Sequence, residues 1–111
     1  MNLKVLSTLT DKINGVKGLD KLDPEDVYIF TDINEGDGFH MRGVPFALEI
    51  CFLDRDFGIL DITKMESESG TSKAPHGTVY AVEAEDGYFD KHGLKVNGCW
   101  ESLHRNFRYN V

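Results

Sequence analysis

Three consecutive runs decide the fold class: Phe46-Ala47-Leu48-Glu49-Ile50-Cys51-Phe52-Leu53, then Asp54-Arg55-Asp56-Phe57-Gly58, then Ile59-Leu60-Asp61-Ile62-Thr63. The first run alternates. Phe46, Leu48, Ile50 and Phe52 share one face of a strand, and Ala47, Glu49, Cys51 and Leu53 share the other. The next five residues read as a hairpin turn, with Gly58 suited to a positive φ. Residues 59–63 read as the return strand.

Toward the C-terminus, residues 66–77 form a polar run without periodicity, read as a loop that serves as a binding lip or a flap. Residues 78–84 read as a strand. Asp86 is placed to cap a short helix from Gly87 to His92, stopped by Gly93. Residues 94–96 and 99–103 read as closing strands, and 104–111 as a short basic tail carrying Arg105 and Arg108. Toward the N-terminus, residues 3–9 suit an edge strand, and Thr10-Asp11 starts a turn or a short helix. Residues 20–38 are acidic. Within them Asp23-Pro24-Glu25-Asp26 makes a turn or one helical turn, residues 27–30 a strand, and residues 34–38 a loop. Many short strands with turn glycines predict a mainly β (β-rich α+β) fold. The expected architecture is a small single-domain β-roll or partly open barrel over residues 1–111, with one or two short helices.

The chain has 111 residues, enough for one domain. A hydrophobic fraction of 41% and a charged fraction of 28% are those of a globular protein, not a disordered one. No run approaches the roughly 18–20 apolar residues of a membrane span. The net charge of −7 argues against a nucleic-acid binder, which needs a cationic footprint. The first ten residues lack the continuous apolar stretch of a signal peptide, so a cytoplasmic location is expected. Cys51 and Cys99 are too few for a disulfide framework and are read as two buried reduced thiols.

Glu49 is the most informative polar residue. A carboxylate between Leu48 and Ile50 must be solvated at a cleft, paired with a cation, or protonated. Its functional reading is a cleft acid, the chain's one catalytic candidate, with Arg42 as partner. The plainer reading, a residue facing water or held in a structural ion pair, is the favoured one. In Phe39-His40-Met41-Arg42-Gly43, Arg42 is suited to grip a carboxylate or phosphate. Alternation instead favours Phe39 and Met41 in the core with His40 and Arg42 in solvent.

Residues 32–43 fail the spacing of a calcium-binding loop, since Asp37 falls where glycine belongs and Gly43 where glutamate belongs. The loop at Asp54 fails likewise. His40, His76, His92 and His104 show no zinc spacing. Neither a phosphate-cradling glycine loop nor a nucleophile elbow occurs. No metal and no cofactor are expected. Residues 69–72 offer backbone amides to an anion, although loop composition explains them as well.

The segment from Phe39 through Asp54, followed by Gly58, resembles domain-of-unknown-function family 192, also called uncharacterised protein family 0127. The family reads Phe-Trp-Met-x-Asn/Gly, then Pro-Leu-Asp-Ile, then Phe-Leu-Asp and a turn glycine. Downstream, Ala74-Pro75, residues 79–84, Gly87, His92-Gly93-Leu94 and Val96-Asn97-Gly98 continue the match. Upstream, Asp11-Lys12-Ile13-Asn14-Gly15-Val16, Leu22 and Phe30 stay in register. The resemblance covers about residues 11–103. His40 stands for a usual Trp, Ala47 for a Pro, Glu49 for an Asp, and Lys17 for a Met. The resemblance implies a compact β-rich fold with a shallow cleft and no established activity.

Three function classes follow. The leading one is a binding domain whose cleft, between residues 39–49 and 66–77, holds a small polar ligand or a peptide end. Phe39, His40, Arg42, Glu49, Ser72 and His76 are its candidate contacts. The alternative is an acidic interaction module, using residues 20–37 and 83–90 against a basic protein partner. The third is an acid–base enzyme built on Glu49 and Arg42, ranked last because no nucleophile, metal set or cofactor loop accompanies them. Neither nucleic acid nor membrane is expected as a partner.

Overall fold

Alternation along the chain's central run becomes two apolar faces of one strand. In the computed structural model, which describes residues 1–110 and side chains through Arg108, the elements follow in order. They are β1 (Asn2–Leu6), α1 (Leu9–Asn14), β2 (Asp26–Phe30), β3 (Gly38–His40), β4 (Leu48–Leu53), β5 (Ile59–Met65), β6 (Thr71–Lys73), β7 (Tyr80–Glu85), α2 (Tyr88–Lys91) and α3 (Glu101–Asn110). Five strands form a mixed sheet in the order β1-β2-β7-β4-β5, and β3 pairs with β6 in a second, two-stranded sheet. The large sheet stays open, with β1 and β5 at its edges. The fold is thus mostly β. Among the described residues no helix is long and apolar enough to cross a membrane.

Both faces of the large sheet are covered. Leu48, Ile50 and Phe52 of β4 join Phe30, Ala81, Met65, Val16, Leu22, Met41 and Val44 in one core. Cys51 and Leu53 of the same strand join Val27, Ile29, Val82 and Ala84 in the other, beneath Tyr88, Phe89, Trp100 and Leu103. Helices α2 and α3 therefore roof one face. The α1–β2 connection and the segment around β3 roof the other. The nearly continuous apolar run of β4 is what a strand buried on both sides requires.

The hairpin after β4 forms as expected, but for another reason. The positive φ belongs to Phe57, at 64°, and not to Gly58. Asp54 Oδ1 accepts hydrogen bonds from Asp56 N (2.9 Å) and Gly58 N (2.8 Å). A Cβ on Gly58 would stand 2.6 Å from Asp54 Oδ2, so glycine is there for room beside the carboxylate. Burial of the Phe57 ring, stacked on His104 at 4.6 Å and packed on Tyr80 at 4.7 Å, holds its unusual backbone.

Other elements depart from expectation. Residues 99–103 do not close the sheet. Cys99 makes only an isolated bridge to Gly58, and residues 101–110 are helical. Trp100, Leu103 and Phe107 are spaced by three and four, which is a helical stripe, and all three pack on the same core. Residues 94–96 form no strand either. The basic tail expected from residue 104 is thus mostly helix, and Val111 lies outside the described residues. The polar run 66–77 contains β6, whose pairing with β3 rests on backbone hydrogen bonds that carry no side-chain signature. Gly87, with φ 88°, is the N-cap of α2, while Asp86 pairs with Lys64 at 3.2 Å. Of the two free thiols, Cys51 is buried but Cys99 is exposed, because its strand was not one.

If α3 is part of the core, Leu103→Ala, at a fully buried position, is expected to cost about 2–5 kcal/mol. Leu9→Ala, on a side chain 75% exposed, is expected to stay within about 0.5 kcal/mol. Urea unfolding of both variants checks the contrast.

Candidate functional site

A cleft of about 330 Å³ opens on the loop-covered face of the sheet. That lies at the lower end of the roughly 300–1,000 Å³ usual for small-molecule sites. One wall is α1 and the turn after it. Thr8 caps α1, its side chain accepting from Asp11 N at 3.0 Å. Gly15 ends the helix with φ 48°, a conformation that favours glycine. The chain turns there and drops Val16 into the core, which leaves Lys12, Ile13 and Lys17 along the cleft. The opposite wall is β3 with Met41 and Val44. Phe30, Ile33 and Glu83 complete the lining from beneath. The rings of Phe30 and Phe39 meet edge to face at 5.5 Å, giving the cleft an aromatic side.

Glu83 is the unusual member. It lies on the central strand β7, opposite Tyr28 of β2 and Ile50 of β4. Alternation puts it on the cleft side with Ala81, while Val82 and Ala84 belong to the other core. It is only 5% exposed. Among the described residues its carboxyl has no hydrogen-bond or ion-pair partner. Burial alone pushes this carboxyl up to about 7. Burial, and secondarily Asp26, also raise the Tyr28 hydroxyl, so its cross-strand neighbour stays neutral. Near neutral pH, Glu83 can hold a proton, give it up, or receive a cation entering from the cleft.

The residues singled out from the sequence separate into two groups. Phe39 and His40 line the cleft. Phe39 is partly buried against the core and His40 is exposed. Arg42, Glu49, Ser72 and His76 are not among its lining residues. Arg42 is exposed in the turn after β3 and makes no ion pair with Glu49 among the described residues. Glu49 Oε1 accepts from Gly87 N at 2.8 Å, tying β4 to the start of α2. Ser72 sits in β6 opposite Phe39. His76 Nδ1 contacts Glu35 Oε1 at 2.6 Å, both side chains largely exposed. Among the described residues no group of three or more His, Cys, Asp or Glu side chains is arranged to hold a metal.

Glu83 was hidden in the sequence among the acids of residues 83–90. The signal that drew attention to Glu49, an acid between apolar strand residues, applies equally to Glu83 between Val82 and Ala84. What separates them is position. Glu49 lies next to the strand's end and reaches a backbone amide, whereas Glu83 lies mid-sheet.

The comparisons agree with this architecture. The model of the family described as "Uncharacterized ACR" (DUF192) matches residues 1–99. No curated protein matches. A protein of unknown function from Novosphingobium aromaticivorans superposes with a TM-score of 0.73 at 21% identity, over 84% of this chain and 69% of that one. A putative transcription regulator from Sinorhizobium meliloti superposes with a TM-score of 0.77 at 14% identity, over 86% and 76%. At these identities the likeness is one of fold.

The raised Glu83 carboxyl has a consequence for stability. The folded protein keeps this proton up to about 7, whereas the unfolded chain releases it near the ordinary value of 4.5. Stability therefore falls as pH rises between those values, and the loss is complete above the upper one. Relative to Glu83→Gln, the parent is expected to lose roughly 2–3 kcal/mol between pH 5 and pH 8. Urea unfolding of both proteins across that range measures the difference.

Proposed function

The chain belongs to the DUF192 family, and on that premise we propose that it is a binding domain that takes a small ligand in the Glu83 cleft. The observation that carries this reading is the unpartnered carboxyl beneath an otherwise largely apolar cavity. A carboxyl in a largely apolar pocket is costly to the fold unless water or a partner reaches it. One that faces a cavity is suited to a partner arriving from outside, as in sites where a few polar groups converge in an apolar pocket. Ile13, Val16, Phe30, Ile33, Phe39, Met41 and Val44 supply the apolar surface. Lys12, Lys17, Asp37 and His40 add polar groups from the two walls.

The acidic-module alternative keeps the exposed acids Asp20, Asp23, Glu25 and Asp86 but loses Glu83, whose side chain is buried. The acid–base reading on Glu49 and Arg42 loses its pairing, since Glu49 is engaged with Gly87 N. A role in transcription, printed for the Sinorhizobium protein, is not carried over. DNA binding rests on a cationic surface, and this chain has 19 acidic against 12 basic residues.

Gly38→Trp tests the reading. Gly38 lines the cleft, and a Cβ there meets nothing within 4 Å. The variant is expected to fold as the parent does and to obstruct the cleft. In a small-molecule screen read by NMR, compounds that shift Phe30, Ile33 and Met41 in the parent are expected to lose those shifts in the variant. A screen in which no compound moves these residues in the parent would contradict the reading.

A further inference from the structure

We infer that the ligand of this cleft is an organic monoamine, its ammonium seated on the Glu83 carboxylate and its hydrocarbon body held by Phe30, Phe39 and Met41. The inference rests on the proposed binding function and specifies its chemistry. Three ligand ends are compatible with a carboxyl group, and physical chemistry ranks them. A ligand carboxylate would bring two acids together, and like charges in a poorly solvated site oppose one another. A hydroxyl supplies a single neutral hydrogen bond. An ammonium supplies three donors and a full positive charge. Its hydrogen bonds to a carboxylate are roughly twice as strong as neutral ones. The attraction is further strengthened where water is excluded.

The remainder of the site narrows the class. Among the described residues neither the sheet nor Lys12 or Lys17 of the cleft wall makes an ion pair with Glu83, which leaves its counter-charge to a ligand. The chain's net charge of −7 favours the approach of cations in general. At the cleft, however, Lys12 and Lys17 come from α1 and its turn, and His40 and Asp37 from β3 and the residue before it. Asp37 already accepts a hydrogen bond from Asn34 N at 2.9 Å. Two lysines against one engaged aspartate disfavour a second positive charge on the ligand's outer end. That arrangement selects a monoamine over a polyamine. The aromatic and thioether side chains favour an aryl or alkyl body.

Three probes with the same phenyl body test the inference on the full chain by NMR titration: phenethylamine, 2-phenylethanol and 3-phenylpropionate. At pH 8 phenethylamine is expected to bind at least about tenfold tighter than either other probe. Its affinity is expected to rise about tenfold from pH 6 to pH 8, as the unliganded Glu83 ionises. His40 is a second ionisable group in the same cleft. Glu83→Gln separates the two groups, because only the Glu83 contribution disappears in that variant. The amine's preference and most of its pH dependence should vanish there, while 2-phenylethanol binds as before. Glu83→Leu, which leaves no buried polar group, serves the same purpose if the glutamine variant folds poorly. Equal or tighter binding of the alcohol or the acid would overturn the inference and leave the binding function standing. So would an amine preference that survives both substitutions. Failure of all three probes to shift any cleft residue would overturn the inference, while the binding function would still be decided by the compound screen.

Discussion

A strand covered on both faces has no side turned to water. This constraint organises the molecule. The sheet carries one core beneath α2 and α3 and another beneath the α1–β2 connection and the β3 segment. Strands β4 and β7 at its centre must therefore be apolar at nearly every position. Val82 and Ala84 satisfy this on one face, and Ala81 on the other. Glu83 does not. Burying a carboxyl at mid-sheet disfavours its charged form and draws on stability that a hydrophobic residue would have supplied. Such a departure from consistency makes Glu83 a candidate functional residue.

The cleft exists because the chain covers this face loosely. Helix α1 is only six residues long and contains no buried residue. Its attachment depends on the Thr8 cap, the turn at Gly15 and the side chain of Val16. A longer amphipathic helix would have filled the space above Phe30 and Glu83. The other face shows that alternative. There α3, ten residues long, packs Leu103 and Phe107 into the core. The two faces thus differ, with helices closing one core and the cavity lying on the loop side of the other.

Much of this was legible in the residues. The β4–β5 hairpin could be read because alternation is a local signal with a period of two. The family match rests on the same stretch. The C-terminal helix is hard to read locally because Trp100 and Leu103 suit a strand as well as a helix, and the deciding partner, Phe107, lies in a short segment whose composition suggests a basic tail. Strand β6 was illegible because its polar residues pair through the backbone. For the site, Phe39 and His40 were within reach, since β3 presents them beside Met41. The facing wall was not. Nothing local brings Lys12, Ile13 and Lys17 against residues 38–44. That proximity comes from the parallel pairing of β1 with β2, a contact between distant segments. Glu83 escaped notice because its sequence neighbours Glu85 and Asp86 suggested an acidic surface. Only the strand order reveals that β7 lies at the centre.

The central claim is that Glu83 is a buried carboxyl without a counter-charge. The most direct test is its titration, followed through the side-chain carboxyl carbon by NMR in the ligand-free protein, with Glu83→Gln used to assign the signal. A midpoint near 7 is predicted. A midpoint at the ordinary value of 4.5 would mean that water or a cationic side chain reaches the group, and would contradict the account.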